Sequence, residues 1–168
     1  PASLQGLLLE RLDHLGDLCE VTLVAAAIGC PFDARLLAVA ADLSLDVAEL
    51  AIEKLWAADI LVSDPAEEFG VFTLKHILQC EAAYGCLVRN RRRVLHERIV
   101  EYLDDPAVKS PDWEPEFLAF HYQLAGREEV AASLWSKAAR SAMARFAHEE
   151  ALSHTEQGIS LLPALKGE

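Results

Sequence analysis

The sequence contains no apolar run long enough to cross a bilayer. Its longest, Val21 to Gly29 (VTLVAAAIG), falls far short of the roughly 20 residues that a spanning helix needs. Asp17 and Glu20 stand close to it where a secretion signal would carry positive charge, so a cytoplasmic location is expected. Zinc and disulfide chemistry are poorly provided for. The four cysteines, Cys19, Cys30, Cys80 and Cys86, form no C-x-x-C pair and lie in apolar, helical surroundings that suit buried thiols. The six histidines, His14, His76, His96, His121, His148 and His154, are scattered with no H-E-x-x-H among them, so no metal site is expected. There is no G-x-S-x-G nucleophile motif, and the eight glycines include no G-x-x-x-x-G-K-[ST] phosphate loop. Neither catalysis nor a bound cofactor is therefore expected within this chain. Positive charge is scarce as well: 15 Lys and Arg against 27 Asp and Glu leave a net charge of -12. Broad binding to nucleic acid or anionic membrane is disfavoured, because phosphate neutralisation requires cations.

What the chain does have is apolar content. At 168 residues and 52% hydrophobic it can bury a sizeable core, in one domain or two small ones. Leu4, Leu7, Leu8, Leu12 and Leu15 share one helical face, with Ser3 to cap it and Gly16 to stop it. Residues 17–28 are apolar nearly all round, which predicts a central buried helix broken by "GCPFD". A short helix over 33–41 follows, then a third in which Val47, Leu50, Ala51, Leu55 and Ala58 form the expected buried stripe and Ser44 or Asp46 the cap. "ILVSD" and "FGVFTL", separated by "PAEE", read as a two-stranded hairpin. Two helices are expected next, over 75–87 with Ile77, Tyr84 and Val88 buried, and over 90–103 with Leu95, Ile99, Tyr102 and Leu103 buried. "DDPAVKSPDWEP" carries three prolines and is the one convincing linker. Helices over 115–125, 127–144 and 147–162 complete the chain.

The fold class is thus mainly α, a winged-helix-like domain with a small β-hairpin followed by a tetratricopeptide-like helical repeat. The divisions are 1–105 for a lid-end helix, the winged-helix-like domain and its following helices, 106–115 for the linker, and 116–168 for the repeat-like helices.

Residues 134–163 resemble one tetratricopeptide unit. Trp135 stands near the start of its first helix, small Ala139 and Ala142 where helices touch, Ala151 and Leu152 in the second helix, and Pro163 at its close. Ala139 replaces the usual glycine and Gly158 the usual alanine. The segments "PASLQGLLLERLDHL", "IGCPFDARLLAVAA", "AIEKLWAADIL" and "FTLKHILQCEAAYGCLVRNRRRVLHERIVEYL" resemble, in order, the region after the nucleotide-binding core of bacterial STAND-class AAA-type signalling ATPases. Such ATPases are fused to adenylate or guanylate cyclases and to large transcriptional regulators. The string around His76, Glu81, Ala82, Tyr84, Arg92, Leu95 and His96 is its most specific part. The resemblance implies a fragment whose parent binds ATP or ADP. Its partners would be the intramolecular nucleotide-binding core, further repeats and a protein bound by the repeats.

One local feature opposes the acidic balance. Arg89, Arg91, Arg92, Arg93 and Arg98 gather within a few turns. They suit a solvated helix face, an intramolecular acidic or phosphate partner, or nucleic acid. The expected third helix argues against DNA, since Asp46, Glu49, Glu53 and Asp59 outnumber Lys54 there. His76 stands where strand passes to helix, a corner that suits a hydrogen-bonded structural histidine. The resemblance implies instead that it reaches the nucleotide phosphates in the parent, with Arg91, Arg92, Arg93 and Arg98 as supporting charge that holds the following helices against acidic surface of the core or winged helix. Three functions follow as expectations: a regulatory segment of a nucleotide-switched ATPase, a stand-alone helical-repeat protein-binding module, or a DNA-binding winged helix.

Overall fold

The structure, a computed structural model, describes residues 16, 18–29, 31–63, 70–75, 84, 85, 87–108 and 113–162. It is mainly helical with a small two-stranded antiparallel sheet. The elements are α1 (Leu18–Ile28), α2 (Ala34–Ala41), α3 (Leu45–Ala57), β1 (Leu61–Ser63), β2 (Phe72–Leu74), α4 (Arg89–Leu103), α5 (Pro115–Leu124), α6 (Glu128–Ala144) and α7 (His148–Ser160). The opening helix expected over residues 1–15 lies outside the described residues, as do most of the helix expected over 75–87, Cys30, Cys80, Cys86, His76 and Pro163.

Two compact units divide the chain, Pro1–Ile99 and Val100–Glu168. The last residues of α4, from Val100 on, belong to the second unit. The physical reason is that the last turn of α4 is held by the second unit: Val100 is buried with Ala119, Tyr122 and Trp135, and Asp104 accepts the Tyr122 hydroxyl hydrogen bond.

In the first unit α1 carries Val21, Val24, Ala25, Ala26, Ala27 and Ile28 into the core. Its one buried hydroxyl, Thr22, donates to the Leu18 carbonyl at 2.9 Å, so burial leaves no polar group unmatched. Gly29 ends the helix at φ +72, a left-handed conformation that a side chain would strain. Asp33 caps α2, its Oδ1 accepting from the Leu36 amide at 2.8 Å. Leu36, Leu37, Ala38 and Ala40 then turn inward.

α3 corrects the sequence reading. Its buried stripe is Ala48, Ala51, Ile52 and Leu55, while Val47 and Leu50 are 48% and 50% exposed and Ala58 is exposed. Both stripes satisfy helical spacing and share Ala51 and Leu55. Packing against α2 and β1 selects the one rotated towards small Ala48, because small residues let helices approach closely. Ser44 occupies the cap position without a side-chain cap bond.

Strands β1 and β2 pair antiparallel with Leu61 opposite Leu74, Val62 opposite Thr73 and Ser63 opposite Phe72. Phe72 also exchanges two backbone hydrogen bonds of 2.8 Å with Phe32, which ties the sheet to the α1–α2 connection. A lone two-stranded hairpin is marginal in water, and this third contact, with buried Phe32, Leu61 and Leu74, supplies the missing support.

In the second unit α6 packs on both α5 and α7. Buried Ala119, Tyr122, Ala125, Ala131, Trp135, Ala138 and Leu161 form its core. Among the described residues no helix is long and apolar enough to cross a membrane.

Candidate functional site

The arginines of α4 are turned to several different partners. Arg91 pairs with Glu20 of α1. Arg98 pairs with Asp42 at 3.0 Å and also donates to the Ala40 carbonyl at 3.4 Å, closing the last turn of α2 where Asp42 itself adopts φ +59. Arg93 pairs with Glu97 one turn on, at 2.9 Å. All these pairs are partly exposed and contribute little each, at most about 1 kcal/mol. Their value is geometric: Arg91 and Arg98 fix α4 against two other helices of the same unit.

Arg92 works differently. Its Nε donates to the Leu87 carbonyl at 2.8 Å and an η nitrogen to the Gly85 carbonyl at 3.2 Å, so it satisfies backbone acceptors just before α4 begins. The same guanidinium lies over the Tyr84 ring, 4.5 Å from its centroid, a favourable cation–π arrangement. Tyr84 in turn hydrogen-bonds His96 Nε2 at 3.0 Å. His96 is fully buried. Burial, and next the nearby Arg92 charge, lower its pKa to about 4, which keeps the ring neutral at physiological pH. Burial likewise raises Tyr84, with Arg92 opposing. Three residues of the string singled out in the sequence thus meet in one cluster. Val88, expected on the buried side beside them, is 69% exposed, because it lies ahead of α4 where the chain is held through Leu87 and Arg92.

His76 lies outside the described residues, so its surroundings add nothing to either reading of it. Of the repeat residues, Trp135 and Ala151 are buried and Ala139 is partly so. Leu152, read with Ile159 and Leu162 as an apolar flank for further repeats to cover, is 61% exposed, since its position on α7 points away from α6. Trp135 Nε1 donates to Gln123 Oε1 at 2.8 Å, and its ring stacks on His154 with centroids 5.4 Å apart. Sequence reasoning passed over His154 and Gln123 as partners, because no pattern in α5 or α7 announces which polar residue will face the tryptophan. Tyr122 is pushed up to about 12 by burial and by its hydrogen bond to Asp104.

Gly158 sits on the side of α7 that packs against α6. An added Cβ would meet Trp135 Cβ at 3.4 Å and the Ala132 carbonyl at 3.8 Å, contacts that neighbouring side chains accommodate. Gly158→Ala is therefore expected to stabilise the chain by about 0.5–1 kcal/mol, through helix propensity and a less free unfolded chain. A higher urea midpoint at unchanged slope is the expected result. A lower midpoint would mean that α6 and α7 cannot yield by a few tenths of an ångström.

Between α6 and α7 runs an open groove of about 450 Å³, lined by Ala132, Ser136, Ala139, Met143, Ile159 and Leu162, with Arg140 and His154 also on its walls. Among the described residues there is no cluster of three or more histidine, cysteine, aspartate or glutamate side chains able to hold a metal ion. Compared with known protein families, curated proteins and solved structures, the chain gives no match in any of the three.

Proposed function

We propose that this chain is a non-catalytic regulatory segment of a nucleotide-switched signalling ATPase of the STAND class. In that reading a winged helix followed by the start of a tetratricopeptide array couples a nucleotide-binding core to a sensor and to an output domain such as a cyclase. The observation that carries the proposal is the element order. Three helices lead into an antiparallel hairpin that bridges back to the α1–α2 connection through Phe32 and Phe72, and α4 and a helical hairpin built on Trp135 follow. The arginines support it by their engagement: Arg91 and Arg98 are spent on Glu20 and Asp42, which makes them an internal clasp rather than a phosphate-binding patch. The exposed carboxylates Asp46, Glu49 and Glu53 on α3 weigh against DNA, whose phosphates would be repelled at that face.

Calorimetry tests the proposal. The chain alone, lacking a phosphate loop, is expected to show no measurable binding of ATP or ADP. In a parent protein carrying the nucleotide-binding core, His76→Ala is expected to weaken ADP roughly tenfold or more, the worth of one charge-assisted hydrogen bond. Micromolar nucleotide binding by the chain alone, or an unchanged ADP affinity in the variant, would overturn it. The groove between α6 and α7 favours the second reading, a helical protein-binding module. Partner binding that survives removal of residues 1–99, which leaves the second unit whole, would select that reading.

A further inference from the structure

We infer that the face formed by α6 and α7 docks a second copy of this chain, with the α7 ridge of each copy seated in the groove of the other. The surface carries both halves of such a contact side by side. One half is the groove, floored by small residues at Ala132, Ser136, Ala139 and Gly158 and ended by Met143, Ile159 and Leu162. The other is the ridge: Leu152, Glu156 and Ile159 recur at helical spacing on α7 and share one side of it. Leu152 and Ile159 are 61% and 58% exposed. Large apolar side chains held in water beside a groove of small ones match in shape, since small residues let a neighbouring helix approach.

Charge decides the occupant. Arg140 lies on the groove wall, and among the described residues its guanidinium meets only the Ser136 hydroxyl, at 2.9 Å. Glu156 lies on the ridge and is exposed, with no cation beside it among the described residues. Among the described residues the groove shows no anion and the ridge no cation, so a two-fold pairing that sets each ridge into the facing groove brings Arg140 and Glu156 together, twice over. Such an isologous contact closes at two copies. Contact through two helix ridges is small by the standard of stable interfaces, so the pairing is weak and depends on concentration. It rests on this surface alone and needs no nucleotide partner.

Sedimentation of the whole chain from about 10 µM to about 1 mM, a range suited to a small interface, reads the outcome directly. The mass is expected to climb from 18.5 kDa towards twice that value and stop. Arg140→Glu and Glu156→Arg should each raise the dimer dissociation constant about tenfold, while the double variant, with the charges exchanged, should return to within about threefold of the parent. Ile159→Glu should abolish pairing at unchanged circular dichroism. A monomer at every concentration would overturn the proposal and leave the groove to a different partner. Growth beyond two copies, single charge variants that leave the dimer unchanged, or a double variant that fails to recover would overturn it equally.

Discussion

Trp135→Ala is expected to cost about 3–5 kcal/mol, the range for removing a large aromatic from a packed core, and so to leave the second unit largely unfolded at moderate temperature. Three losses combine. The indole is nearly completely buried among Val100, Ala119, Tyr122 and Ala138, and its removal opens a cavity between α5, α6 and α7. Gln123 loses the donor that satisfies its Oε1, and His154 loses the ring it stacks on. Trp135→Phe separates these terms, because it keeps most of the apolar volume and drops the hydrogen bond, for about 1 kcal/mol from that bond. Hydrogen exchange is the informative measurement. Protection should collapse over α5, α6 and α7 in the alanine variant, in keeping with opening of a local cooperative unit. A loss below 1 kcal/mol with protection intact would show that the indole is not what holds the three helices.

Acidification from pH 7 to 4 is expected to remove about 3 kcal/mol of stability from the first unit through His96 alone. The folded-state pKa of about 4 lies below the ordinary value near 6.5, so the unfolded chain takes up the proton first. Stability from this group is complete above about pH 6.5 and falls as pH drops towards 4, with about 2 kcal/mol gone by pH 5. The cause is structural: a proton on His96 would place a charge in a fully buried site and close to Arg92. The chain holds five other histidines, so it is the difference between the parent and a His96 variant across the window from pH 6.5 to 4.5 that isolates this residue. Urea unfolding across that window in the parent and in His96→Gln should show a steep slope in the first and a flattened one in the second. Equal slopes would assign the acid sensitivity to another group.

Much of the architecture was legible because its causes are local. The run from residue 18 to 28 is apolar nearly all round, Glu20 apart, and a buried helix such as α1 accommodates that. Asp33 stands one residue before an apolar helical period, and its carboxylate caps α2. The alternation in "FGVFTL" and the β-branched "ILVSD" shortly before it specify two strands whose partner is the nearest one available. Trp135 and the small residues around it announce a close helical hairpin.

Where two local solutions were equivalent, the chain alone did not choose. Val47 and Leu50 continue a helical stripe as well as Ala48 and Ile52 do, and only the close approach of α3 to its neighbours turned the smaller residues inward. Val88 and Leu152 are as apolar as the residues beside them, and their exposure follows from which side of the helix faces a partner, a property of neighbours distant in sequence.

The sequence by itself determined the helical class, the hairpin, most element limits among the described residues, and an acidic net charge. Each depends on residues within a turn or two of one another. Tertiary structure alone decided that Arg98 reaches Asp42 across 56 residues, that Arg91 meets Glu20, and that His96 is sealed beneath Tyr84 and Arg92. It also decided that α6 and α7 leave a groove with Arg140 on its wall. Those outcomes depend on which surfaces the packed core brings together, and burial and charge pairing between distant segments exist only once it has formed.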